Sequence, residues 1–493
     1  MLLKTRYRRN RRRMLSLLLC ISAIGVILLG LLVGVNLLVA RSAGARSVAR
    51  LGSHPLKMTP QEMLASILPL HPQYQLAITM GTTAAAQMSC AQSKAAPFCY
   101  SPQQVRQAYD IQSLLNKGIS GKNRTITIID AFQDPTVKTD LHLFDKMFGL
   151  PDPQLNVLAP FGLTPFNPKD PAQVGFAGEI GLDVEWAHAI APQATIDLVL
   201  ANVKVETLQG QLTALLQATG FAVAQNLGSV ISQSFGVSES CAGTAFIQQE
   251  HKLFQQAARQ HQTVFASAGD SGSAAVQCNA QGQPVAIAQG VNYPASDPLV
   301  SSVGGTTLIA GTNGQYIGEV AWNESPLGAG ATGGGSSRVF ALPAFQKQSV
   351  RGTHRFVGDL ALDGDPLTGV LIVSSQIMPG KTVLIPIGGT SVGSPVAAGL
   401  VALFDQAAGT RLGFLNSALY RLSLTQAAGQ SFHDIIAGNN AFVFQNMQGQ
   451  AKIIPGFSAA RGWDALSGVG TPDAANLARL LPMFVKANDG AGL

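Results

Sequence analysis

Residues 382–406 read T-V-L-I-P-I-G-G-T-S-V-G-S-P-V-A-A-G-L-V-A-L-F-D-Q. Thr382–Ile387 is apolar and short, so it reads as a buried strand. Two glycines break it, and an apolar helix follows from about Ser391 to Gln406. A strand that turns through glycine into a helix is the unit of a parallel sheet. The same alternation runs outward from this stretch. Arg124–Asp130, Ala194–Leu200, Ser229–Ser234 and Thr263–Ala268 read as strands. Leu141–Phe148, Gly178–Ile190, Leu208–Asn226 and Phe246–Arg259 read as helices. The expected fold class is α/β, a parallel sheet with helices on both faces. Ligands of such sheets sit at the carboxyl ends of strands. Asp270 and Ser391 both fall just past such ends.

Ser391 has what a nucleophile needs: a glycine turn for close approach, and a helix N-terminus whose free N–H groups can meet an oxyanion. The plain alternative is a serine capping its helix. A serine nucleophile is usually served by histidine, yet none of the eight histidines sits in a His-Gly-Thr setting. Glu179 and Asp183 instead lie four apart in G-E-I-G-L-D-V-E-W-A-H, on one helical face. Two such carboxylates repel unless they are solvated or share a proton. Leu182 and Trp186 beside them favour partial burial. Asp270 ends the apolar strand of V-F-A-S-A-G-D-S-G, where a turn aspartate is the ordinary reading.

Together these pieces resemble the sedolisin family, the serine-carboxyl peptidases with a subtilisin-like fold. The pieces stand in family order from Ser101 to the end: S-P-Q-Q-V-R-Q-A-Y, G-E-I-G-L-D-V-E-W-A-H-A-I-A-P, S-A-G-D-S-G and Y-P-A-S-D-P. After them come S-V-G-G-T-T, T-G-G-G-S-S, G-G-T-S-V-G-S-P, F-H-D-I and G-W-D-A-L-S-G-V-G-T-P. The resemblance implies Ser391 as nucleophile and Glu179 as its general base and acid. It implies that Asp183 orients Glu179, and that Asp270 joins the Ser391 N–H in an oxyanion hole. It also implies one Ca²⁺ held by the carboxylates of Asp434 and Asp464 and the carbonyls of Ile435, Ala460 and Gly462. Oxygen-only ligation suits that ion. Glutamate also suits acid: at pH 4 a histidine of ordinary pKa is protonated roughly 300 to 1 and cannot accept a proton.

Four features depart from the family. Only sixty residues (41–100) separate an N-terminal apolar run from Ser101, where the family carries a folded prosegment of more than a hundred. Ala460 stands where glycine is usual, which is tolerable at negative φ. Phe235 replaces a tryptophan, and Gly358 a proline.

The chain has 493 residues, 46% apolar and 12% charged, which excludes a disordered or coiled-coil protein. Its net charge of +6 comes from the first thirteen residues. Those hold seven cations and no acid, so the remainder carries 26 basic and 27 acidic residues, a net −1. No electrostatic footprint for nucleic acid is left. After Arg13, residues 14–40 carry no charge. As a helix they span roughly 40 Å, enough to cross a bilayer. The expected organisation is a basic cytoplasmic N-terminus (1–13), a transmembrane signal anchor (14–40), a linker or vestigial prosegment (41–100), and an extracytoplasmic, sedolisin-like peptidase domain (101–493). Cleavage of a signal peptide after Ala43-Gly44-Ala45 is the alternative. Of three connectivities for Cys90, Cys99, Cys241 and Cys278, the most local is Cys90–Cys99 with Cys241–Cys278.

The function expected is an acid-acting peptidase, monomeric, with protein or peptide substrates. A catalytically dead, membrane-tethered binding module is the alternative, and a non-peptidase acyl hydrolase a third.

Overall fold

A computed structural model describes residues 71–72, 75–76, 99–204, 207–378, 380–445 and 450–486. All fall within one unit, Thr59–Leu493. The strands that matter here are β1 (His71–Pro72), β2 (Gln75–Leu76), β3 (Thr125–Ala131), β4 (Leu155–Leu158), β5 (Thr195–Ala201), β6 (Val230–Gln233) and β7 (Phe235–Ser238). They continue with β8 (Thr263–Ser267), β9 (Asn292–Tyr293), β10 (Ser301–Ala310), β11 (Tyr316–Ala321), β12 (Leu360–Asp363), β13 (Val370–Ser374) and β14 (Val383–Gly388). The helices are α1 (Pro102–Ala108), α2 (Val137–Phe148), α3 (Pro171–Ile190), α4 (Leu208–Ala224), α5 (Thr244–Arg259) and α6 (Gly393–Ala408).

Alternation along the strands builds two cores. Ile126 and Ile128 of β3, with Ile196, Leu198 and Leu200 of β5, pack on one face against Ile180 and Leu182 of α3 and Val396 and Leu400 of α6. Ile129 and Val199 face the other way, toward Leu212 and Leu215 of α4 and Phe254 of α5. Successive side chains of a strand point to opposite faces, so strands apolar at nearly every position must be covered on both sides. The main sheet has eight strands in the order β11-β10-β8-β6-β3-β5-β4, with β12 also on β10. All its pairs are parallel except β10 with β11. The α/β class read from the sequence holds.

Element ends differ in two informative places. Helix α3 begins at Pro171, seven residues before the expected Gly178, because Asp170 caps it by accepting from the Ala172 N–H at 3.0 Å. Helix α6 begins at Gly393, two residues after Ser391, and Ser391 does not open it. Pro395 explains this. A helix starting at Ser391 would put Pro395 inside, where its ring meets the carbonyl four residues back; starting at Gly393 puts it in the first turn.

Cys241 and Cys278 form a disulfide, as the local pairing predicts. Cys99 is disulfide-bonded too, and its expected partner Cys90 lies outside the described residues. So does the apolar run 14–40. Among the described residues no helix is long and apolar enough to cross a membrane.

Candidate active site

Four elements converge on Ser391. It sits in the turn between β14 and α6, fully buried. The turn enters through Gly389 at φ +111°, a conformation that glycine adopts without strain. The Ser391 hydroxyl donates to the carbonyl of Ser234 at 3.2 Å and makes no cap to α6. The capping alternative is therefore excluded, and the side chain is held across the sheet.

Helix α3 brings Glu179 and Asp183. It is apolar all round, and residues 176–190 are all buried, as expected of a helix threaded through a core. Both carboxylates are fully buried, so the solvated acidic face is excluded as well. Burial raises the pKa of Glu179 well above the ordinary value, and the charges of Asp183 and Asp130 raise it further. Contact with Ser391 pulls it back down. Neither Glu179 oxygen closes a hydrogen bond of ordinary geometry, although Ser391 and Asp183 lie near enough to perturb it. Catalytic hydrogen bonds are often long without substrate. Burial also raises the pKa of Asp183, against the hydrogen bond from Ser234 and the nearby Glu179 carboxyl, which lower it. The Ser234 hydroxyl donates to Asp183 Oδ1 at 2.8 Å and toward the Ser391 carbonyl at 3.4 Å. Ser234 thus ties the acid helix to the serine turn.

Asp270 follows β8. Its Oδ1 accepts from the backbone N–H of Thr390 at 2.9 Å and from the Thr390 hydroxyl at 2.8 Å. The same hydroxyl accepts from the Gly269 N–H at 2.9 Å. Asp270 is therefore locked to the residue preceding Ser391. Burial raises its pKa to about 7, against the two Thr390 hydrogen bonds that lower it. With Oδ1 taken by two donors, a proton on Asp270 belongs on Oδ2, where it can be donated.

Three residues beyond those expected belong to the site. Ser234 and Thr390 act through the bonds just described. The third is Asp130, the second-last residue of β3, fully buried with no hydrogen-bond partner on either oxygen. Its pKa is raised well above the ordinary value by burial and by the Asp183 charge. The signal for Asp130 was present: a lone carboxylate near the carboxyl end of an all-apolar strand. Trp186, expected to help bury the pair, donates its indole N–H to the Leu371 carbonyl at 3.0 Å.

The expected calcium ligands meet at one loop. Asp434 accepts from the Gly462 N–H at 3.1 and 3.2 Å. Asp464 accepts from the Ala460 N–H at 3.2 Å. Asp434 thus grips from a separate segment the loop 460–464 that Asp464 closes from within. That fits a hard-cation shell completed by carbonyls of Ile435, Ala460 and Gly462. Among the described residues no group of three His, Cys, Asp or Glu side chains could hold a metal, so such a shell relies on main-chain oxygen. Ala460 is not among the residues of positive φ, the condition for alanine to replace glycine there.

No protein-family model matches the chain. Kumamolisin of Bacillus sp. (strain MN-32) is 34% identical over 403 residues, covering 80% of this chain and 66% of that protein. Sedolisin of Pseudomonas sp. (strain 101) is 36% identical over 271 residues, covering 54% of this chain. The chain spans just under two thirds of kumamolisin and 43% of sedolisin. Among solved structures, Pseudomonas sedolisin, a serine-carboxyl proteinase bound to pseudo-iodotyrostatin, superposes with a TM-score of 0.65. That match is 30% identical and covers 77% of this chain and 97% of that one.

Proposed function

Because the chain belongs to the sedolisin family, we propose that it is a serine-carboxyl peptidase, cleaving peptide bonds of proteins or peptides in acid outside the cytoplasm. The reading rests on one observation: a buried serine meets buried carboxylates from α3 and β8.

Ser391 Oγ attacks the substrate carbonyl and gives its proton to the Glu179–Asp183 pair. The pair shares one negative charge, so its titration belongs to both residues. Ser234, donating to Asp183, favours the charge there and leaves Glu179 to exchange protons with Ser391 and the leaving amine. Asp270, protonated on Oδ2, donates to the oxyanion beside the Ser391 N–H, as a neutral carboxylic acid does elsewhere. Activity therefore falls on the acid side as the shared charge is lost, and on the alkaline side as Asp270 ionises. Asp130 adds a third carboxyl against Asp183 and opposes a second charge in the cluster.

Asp434 and Asp464, with the carbonyls of Ile435, Ala460 and Gly462, would hold a Ca²⁺ that crosslinks two loops. Residues 14–40 would anchor the protein in a membrane with the catalytic domain outside, and the body would act as a monomer. A binding module has no use for three buried carboxylates around one serine.

The test is proteolysis. The full chain is incubated with denatured protein from pH 3 to 7 beside Ser391→Ala. Digestion by the first alone, with an acidic optimum, is expected. Equal digestion by both, or none by either, overturns the proposal.

A further inference from the structure

Asp270 and Ser391 follow different strands, and one side chain joins their turns. Thr390, the residue before Ser391, is fully buried. Its backbone N–H and its hydroxyl both reach Asp270 Oδ1, at 2.9 and 2.8 Å. The hydroxyl oxygen also accepts from the Gly269 N–H at 2.9 Å. On the far side, the Gly333 N–H donates to the Gly269 carbonyl at 2.6 Å and the Ala331 N–H to the Asp270 carbonyl at 2.9 Å. The main chain at 269–270 is thus stapled from both sides, and Thr390 holds the carboxyl as well.

Counting donors and acceptors places each proton. A main-chain N–H can only donate, so the Thr390 N–H makes Oδ1 an acceptor. The Gly269 N–H likewise makes the Thr390 hydroxyl oxygen an acceptor. A hydroxyl has one proton, and here it points at Oδ1. Oδ1 therefore serves as the carbonyl oxygen of a protonated Asp270, and the acid proton stands on Oδ2. Without the hydroxyl, the carboxyl loses one of these two tethers and its proton can sit on either oxygen. Both Thr390 bonds also favour the ionised carboxylate, so the tether that orients the acid makes it easier to ionise. Among the described residues, the titratable group that feels the Asp270 charge is Glu179 of α3. The β14–α6 turn and residues 330–333 carry no titratable side chain.

We propose that Thr390 is a positioning residue: it keeps the donatable proton of Asp270 on Oδ2 and, through that carboxyl, sets the alkaline limit of catalysis. The inference rests on the peptidase reading above and on the oxyanion role given there to Asp270. The hydroxyl has two opposed effects. In acid it speeds the reaction by presenting one oxygen of Asp270 as the donor. Toward alkali it narrows the working range by stabilising the carboxylate, whose charge repels the oxyanion. A hydroxyl acting directly on the oxyanion would do only the first, and its proton is already committed to Oδ1. Removing the hydroxyl should therefore slow the enzyme in acid and carry its activity to higher pH.

The experiment measures kcat/KM on a quenched fluorescent peptide from pH 3 to 9, with a melting curve for each protein. It compares the full chain with Thr390→Val, Thr390→Ser and the double variant Asp270→Asn, Thr390→Val. Thr390→Val keeps the shape and removes the hydroxyl. It is expected to lose about two- to tenfold at pH 4–5: twofold if the proton merely divides between two oxygens, more if the carboxyl turns. Its alkaline limb is expected about a unit higher, the usual effect of one hydrogen bond on a carboxylate. Thr390→Ser restores the hydroxyl and is expected to keep the wild-type limb. In the Asp270→Asn background the valine is expected to move no limb, because the amide has no proton to lose. An equal loss at every pH with an unmoved limb in Thr390→Val overturns the inference and leaves the peptidase reading standing. So does a limb that moves as far in Thr390→Ser, or a valine variant that fails to fold where the serine variant folds. A wild type without Ser391-dependent activity overturns both.

Discussion

Asp270→Asn separates a proton donor from a charge at the proposed oxyanion site. In the wild type Oδ1 is occupied by two hydrogen bonds from Thr390, at 2.9 and 2.8 Å, so the donated proton must come from Oδ2. An asparagine placed the same way offers its carbonyl to Thr390 and its NH₂ to the oxyanion. With a pKa of about 7, roughly 99% of Asp270 is protonated at pH 5 and about a tenth at pH 8. Wild-type kcat/KM should fall about tenfold between those values on this account alone. The asparagine variant should stay within about tenfold of wild type at pH 5, a cost near 1.4 kcal/mol. It should also lack the fall toward pH 8, so its alkaline limb moves up by a unit or more. Asp270→Ala loses the donor at every pH, about 10²–10³-fold. The assay is kcat/KM on a quenched fluorescent peptide from pH 3 to 9. Coincident Asn and Ala profiles, or an unmoved alkaline limb in the Asn variant, would refute the role given to Asp270.

Three further outcomes are expected. Glu250 is fully buried in the second core, and burial raises its pKa from 4.5 to about 8. That contribution to stability is complete below about pH 4.5 and is lost as pH rises toward 8, an effect of several kcal/mol in order of magnitude; in a Ser391→Ala background, Glu250→Gln should lose less melting temperature between pH 5 and 8. A Cβ on Gly399 of α6 would lie 2.6 Å from the Ile190 Cβ of α3, so Gly399→Ala should cost about 1–3 kcal/mol of overpacking and lower kcat by parting the serine turn from the acid helix, read by melting and steady-state kinetics. Chelation should lower the melting temperature if Ca²⁺ binds only the folded chain, and Asp434→Ala should abolish that difference.

How far the sequence discloses this site depends on the kind of signal. The strands were legible because an apolar run bounded by glycine has one reading, and β3, β5, β6, β8 and β14 lie within a residue or so of their expected ends. Helix α3 was legible where it is apolar and missed at its start. Gly175, Gly178 and Gly181 weaken a helical pattern, and the Asp170-Pro171 cap that settles the matter is short. Ser391, Glu179, Asp183 and Asp270 were readable as a set in family order, while each alone had an ordinary explanation. Ser234 and Thr390 could not be found that way. Their roles come from hydrogen bonds between residues 157 and 120 positions apart, and a serine or threonine at a strand end looks the same with or without such a partner. The pairing of His71–Pro72 with β7 and of Gln75–Leu76 with β14 is also a matter of register across long separations, which local composition does not encode.

Helix α3 has a consequence for how the protein loses activity. Its segment 176–190 is buried on every side and packs on the sheet against α6 beside it. A helix in that position has no local way of opening to water, since freeing it dismantles the larger core. Its amide protons should exchange only through global unfolding, among the slowest in the chain, whereas those of the exposed turn at residues 280–283 should exchange far sooner. Glu179 and Asp183 ride on that helix, so inactivation by heat or denaturant should coincide with loss of the fold, with no folded but inactive species populated along the way.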